Sequence, residues 1–121
     1  MRQAIIVITT RGTTMFKIYG TTIILTRGDT FVTEVTIYDD DGDVYTPLPS
    51  EPVTFTMRKD YESPALIQKE IPHDTMILQL EPADTAGLDI GRYVFDIDIV
   101  LTSGFKDTFI PEGTLILTPE V

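Results

Sequence analysis

Cysteine and tryptophan are absent from this chain of 121 residues, histidine occurs once, and lysine and arginine together supply only nine side chains. Without cysteine there are no disulfides, no thiolate metal sites and no cysteine nucleophile, a composition compatible with a reducing compartment. The one histidine, His73, lies in a Pro-His-Asp turn, and no second histidine or cysteine exists to complete a zinc site with it. Nine basic residues against nineteen acidic ones leave a formal charge of -10. Such a surface repels nucleic acid and anionic membranes, so neither is expected as a partner. Long apolar runs are missing too. The stretch Ala4 to Ile8 is too short for a signal-peptide core or a bilayer span, and no small-residue cleavage site follows it. Synthesis in the cytosol without a leader, and no membrane insertion, are the expectations. Serines are few, and no nucleophile elbow, phosphate loop or dinucleotide fingerprint occurs, so neither enzymatic activity nor a cofactor is expected.

What the chain does contain is strand chemistry. Its length suits one domain with a single core, large enough to fold without a metal or disulfides. From Tyr93 onward, Tyr93, Phe95, Ile97, Ile99 and Leu101 alternate with Val94, Asp96, Asp98 and Val100, which predicts a strand with one core face and one wet or interfacial face. Similar alternation predicts strands over Thr22 to Thr26, Thr30 to Tyr38, with Phe31, Thr33, Val35 and Ile37 on one face, and Val53 to Lys59, with Val53, Phe55 and Met57 inward. Leu66 to Ile71 and Thr75 to Leu80 add two more, the second contributing Met76, Leu78 and Leu80 to the core. Pro47, Pro49 and Pro52 mark an extended, ladder-poor connection. Pro82 opens a single helical turn that Gly87 closes. Pro111-Glu112-Gly113 interrupts the last strand region, which implies a bulge or a strand that changes sheets.

About seven strands with no room for helices between them predict an all-β, antiparallel sandwich, immunoglobulin-like in architecture, with a Greek-key barrel as the alternative. Tyr93, after a short turn that contains Asp84 and Leu88 and just beyond Gly91, occupies the place of a tyrosine corner. Residues 1–14 form an arm or an extra N-terminal strand, Met15 offers an alternative start, and residues 15–121 form the domain.

Candidate sites each have a structural counterpart. Arg27-Gly28-Asp29 is an integrin-recognition tripeptide when displayed on a loop, but here Gly28 and Asp29 serve a turn between strands. Asp39, Asp41 and Asp43 match the first ligand positions of a calcium loop, yet Val44 stands where that loop needs glycine and Ser50 where it needs glutamate. Gly42 completes a D-G pair, and an acidic hairpin tip is the expectation. Asp96 and Asp98, about 6.5–7 Å apart along one strand face, have a spacing open to glycosidase chemistry, although solvent-facing residues are expected there. Tyr38, Tyr45 and Tyr61, at strand ends or in loops, are candidates for stacking on sugars.

The order of Leu25-Thr26-Arg27-Gly28-Asp29-Thr30, the Asp39 to Asp43 run, Val53 to Lys59, Leu80 to Leu88 and Gly91 to Asp96 resembles the immunoglobulin-like domain of tailed-phage baseplate upper proteins. Related domains recur in tail and fibre proteins of phages and prophages of Gram-positive bacteria. The resemblance covers about Ile23 to Pro119. It implies a rigid virion module, made in the host bacterial cytoplasm, that docks on other baseplate, tail or neck proteins and brings no catalytic residues. Baseplate upper proteins continue into a helical or fibre-forming region, and this chain stops at Val121, so an adaptor, a neck or head decoration, or a ring subunit is the expectation. Symmetric phage assemblies and free sheet edges make a homo-oligomer a further expectation. The alternative function is a module whose loops bind a host-surface glycan.

Overall fold

With apolar and polar residues alternating and no long helical pattern, pairing strands is the way this backbone buries a face. The computed structural model describes residues 6–10, 16–19, 22–38, 44–102, 104 and 106–119. In order these form β1 (Ile6–Thr10), β2 (Phe16–Tyr19), β3 (Thr22–Thr26), β4 (Phe31–Tyr38), β5 (Val44–Tyr45), β6 (Val53–Arg58), β7 (Ala65–Ile71), β8 (Ile77–Leu80), α1 (Pro82–Ala86), β9 (Gly91–Val100) and β10 (Lys106–Thr118). One sheet holds β1, β4, β5 and β8, with β4 pairing to all three others; the second runs β2-β3-β10-β9-β6-β7. The domain is all-β, and its two sheets share one core, consistent with a sandwich.

That core is what the alternation specifies. Phe31, Val35 and Ile37 from β4 and Leu78 and Leu80 from β8 meet Ile23, Leu25, Phe55, Met57, Phe95, Ile97, Ile99 and Leu115 from the other sheet, all essentially inaccessible to solvent. Each fully buried side chain of this size contributes about 1.5–3 kcal/mol relative to exposure. Phe55 and Phe95 sit at the centre, ring centroids 5.3 Å apart and tilted by 35°.

Several expectations need correction. The sandwich is not wholly antiparallel, because β10 pairs with β3 in parallel, Thr114 opposite Thr22 through Thr118 opposite Thr26. The extra N-terminal strand is β1, paired antiparallel with β4; short β2 and β5 take the strand number past about seven, while the runs on either side of Pro111 belong to one strand. Between the two alternatives for that break, the bulge is found. Register shifts at Thr108/Ile110 and Ile110/Gly113 absorb the proline, and β10 stays paired with β9 on both sides of it. Finally, β8 begins at Ile77, since Met76 takes a positive φ of 54°. There Met76 N donates to Pro72 O at 2.7 Å and its carbonyl accepts from Val35 N at 2.8 Å. Met76 thus ends a turn and is only partly buried against the core.

The outer edge of the six-stranded sheet is guarded. Ile67 and Ile71 of β7 are buried, and Lys69 lies between them on the same strand face. Its ammonium leaves the rim to meet Asp84 at 3.0 Å. An inward-set lysine on an edge strand disfavours pairing with a foreign strand.

Candidate functional site

The two ends of the sandwich differ in what their loops do. At one end the β3–β4 turn, the β6–β7 loop and the corner around α1 are bonded together. Glu81 caps α1 with Pro82 in the first turn, and the Asp84 carboxylate accepts from Glu81 N at 2.7 Å. The hydroxyl of Thr85, fully buried, accepts from Gly28 N at 2.8 Å, and the Arg27 guanidinium donates to Leu88 O at 3.1 Å. Gly28 needs its glycine, for its φ is 85°. Arg27 N also donates to Thr118 O at 3.0 Å, so the Arg27-Gly28-Asp29 tripeptide is bolted to the corner and to the last strand.

Tyr93 closes the same end. Its hydroxyl donates to Asp89 O at 2.6 Å, the backward reach of a tyrosine corner. Lys59 donates to Arg92 O at 3.2 Å and lies 4.7 Å above the Tyr93 ring. Burial, reinforced by the Asp89 charge and opposed by Arg27, raises the Tyr93 phenol above its ordinary value. Tyr93→Phe is expected to cost about 1 kcal/mol at neutral pH, the net value of one such bond. Because the folded value is the higher one, this contribution is fully present below the unfolded pKa of about 10 and is lost as pH rises through the folded value. Urea melts of both proteins should converge at alkaline pH; a constant difference would contradict the assignment. In the neighbouring loop, Asp60 accepts from Ser63 Oγ at 2.7 Å and Glu62 N at 3.0 Å, and these bonds hold its carboxyl below the usual range.

The other end carries concave surface. Here residues 44–52 and the turn after Leu101 converge on Glu51, which is only 4% exposed. Its carboxylate accepts from Tyr45 Oη at 2.5 Å, Leu48 N at 2.9 Å and Thr102 N at 3.2 Å. Three donors on a buried carboxylate offset the loss of its hydration. Against this post lies a groove of about 370 Å³ lined by Pro49, Glu51, Pro52, Glu70, Ile71, Pro72 and His73. A second, of about 350 Å³, shares His73 and extends along β4, β5 and the 72–76 turn. Concavities of this size with a few polar groups are where ligands of domains usually sit.

No family model and no curated protein matches this chain. Among the described residues no group of three or more His, Asp or Glu side chains is placed to hold a metal ion, and no helix is long and apolar enough to cross a membrane. Asp39, Asp41, Asp43 and Gly42 lie outside the described residues, as does the ring of Tyr38. The structure separates the other two tyrosines. Tyr45 is partly buried with its hydroxyl committed to Glu51, whereas Tyr61 is 57% exposed in the β6–β7 loop at the opposite end.

Asp96 and Asp98 require a further correction, since solvent-facing residues were expected on that side of β9. Asp98 is 9% exposed, within 3.6 Å of Lys106 Nζ, and Asp96 meets Arg58 at 3.5 Å. Their cross-strand neighbours on β6, Thr54 and Thr56, pack beside them, and Thr56 is buried. Burial first, then the Asp98 charge, raises the Asp96 carboxyl above its usual range, with Arg58 and Lys106 opposing. The pair thus forms two partnered ion pairs on the sheet's outer face. Glu51 was missed in the sequence, because a glutamate between Ser50 and Pro52 in a proline-rich connection reads as solvated; nothing in the local pattern marks it as buried.

Proposed function

We propose that this chain is an immunoglobulin-like structural module of a phage or prophage virion, docking on baseplate, tail or neck proteins without catalysing a reaction. One observation carries the reading. Stretches far apart in sequence that bear the resemblance, Leu25 to Thr30, Val53 to Lys59, Leu80 to Leu88 and Gly91 to Asp96, meet at one end. They are joined there through Arg27, Gly28, Lys59, Thr85 and Tyr93. Motifs that look like loose turn chemistry one by one form a single rigid corner together, which suits a module whose work is to hold its neighbours in fixed geometry. The sheet order β3-β10-β9-β6 beside a second sheet of β4 and β8, together with the Tyr93 bond to Asp89, supports the immunoglobulin-like part of this reading.

Peptide mass spectrometry of particles induced and purified from the source strain tests this reading. The expected result is this chain at a stoichiometry comparable to tail or neck proteins. Its absence from intact particles, while it is abundant in the lysate, would overturn the proposal.

A further inference from the structure

We propose that the groove beside His73 seats an extended, basic segment of a partner protein, with Glu70 and Asp74 as the groups that meet its cations. The inference deepens the assembly reading and rests on it, since it names the face on which such a partner docks.

The groove's walls are apolar and stiff. Pro49, Pro52 and Pro72 line it together with Ile71, and proline rings hold their backbone near one φ value while offering no N–H. A surface of this kind is formed before binding, so little ordering is lost when a ligand arrives. His73 borders both the first groove and the second, which follows β4, β5 and the 72–76 turn. Two grooves on either side of one residue suit a ligand long enough to reach from one to the other better than a compact one.

Charge selects the occupant. Among the described residues no lysine or arginine lines either groove. Glu70 and Asp74 are exposed on their rims, and the whole chain carries a formal charge of -10. A cationic segment is drawn in by the long-range field and matched at the rim, whereas an acidic one is repelled. Glu51 takes a different part. Its oxygens already accept three hydrogen bonds, so it supports the wall and leaves recognition to Glu70 and Asp74.

The test uses the full chain, isotope-labelled, with a short peptide of repeating Pro-Leu-Lys and its counterpart with glutamate in place of lysine. With the basic peptide, saturable amide shifts are expected at Ile71, His73 and Asp74, weakened by salt. The acidic peptide should bind at least about tenfold more weakly. The double variant Glu70→Lys with Asp74→Lys should lose the shifts while its melting temperature stays unchanged, because both side chains are exposed. Absent shifts, shifts scattered over the whole acidic surface, or equal binding of both peptides would overturn the proposal. Particle incorporation separates it from the reading beneath it. Normal incorporation of the double variant overturns the groove and spares the assembly role. Saturable peptide binding by a chain that never enters particles supports the groove and overturns that role.

Discussion

Gly113→Ala is expected to destabilise the domain by about 2–3 kcal/mol, the upper part of the range for overpacking a close-packed core. A methyl group at this buried position would overlap Phe95 Cζ and lie 2.5 and 2.6 Å from its Cε2 and Cε1, far inside contact distance. The ring has nowhere to go. It is 2% exposed and packed against Phe55, while Gly113 is its direct cross-strand partner beside the bulge of β10. An aromatic ring folded over an opposing glycine fills the space that the missing side chain leaves. Urea denaturation measures the loss directly, and the double variant Gly113→Ala with Phe95→Leu tests its cause. If the clash is responsible, the two changes are strongly non-additive, and the pair is more stable than the sum of the single effects. A Gly113→Ala protein within about 0.5 kcal/mol of the parent, the range of an ordinary surface change, would sink the argument.

Features fixed by neighbours in sequence were legible before the fold was known. Pro82, Asp84 and Gly87 set the helical turn, and Tyr93 stands near the start of a strand whose alternating faces are plain from Tyr93 to Val100. The same holds for β4, where Phe31, Thr33, Val35 and Ile37 are all buried. What depends on distant partners was not legible. Alternation places Asp98 on the outer face of β9, but only the sheet order sets Lys106 and the threonines of β6 around it. In the same way, a run such as Thr114 to Thr118 says strand without saying that its partner, β3, runs parallel to it. Met76 fits the apolar alternation of its strand, and the chain nevertheless spends it on a turn because Val35 N needs its carbonyl.

The candidate site follows the same division. Turn chemistry drew attention to Arg27-Gly28-Asp29 and loop position to the tyrosines, of which Tyr61 is exposed. The tripeptide closes the rigid end, and Tyr45 spends its hydroxyl on Glu51. The concave end is assembled by connections that share no local signal: Glu51 ties residues 44–52 to the turn after Leu101, and the 72–76 turn completes the grooves.

Glu51→Ala is accordingly expected to cost about 3 kcal/mol, most of it from partly buried donors left without an acceptor. Tyr45 Oη, Leu48 N and Thr102 N all lose the same partner. Hydrogen bonds to a charged group are worth about 1.5–3 kcal/mol each. Their sum overstates the effect, because removing the carboxylate also ends the penalty of burying its charge, and water reaches part of the opened site. Glu51→Gln keeps one carbonyl oxygen as an acceptor and should lose only about 1 kcal/mol. The decisive readout is local. In Glu51→Ala, amide exchange at Leu48 and Thr102 should accelerate more than the global stability loss explains, since the two loops are released from each other while the core beneath them is intact. Unchanged protection at both amides would mean that the loops are held by something other than this carboxylate. Loosened loops with a sound core would in turn predict a blurred groove, because Pro49 and Pro52 flank Glu51 closely in the chain and both form its wall.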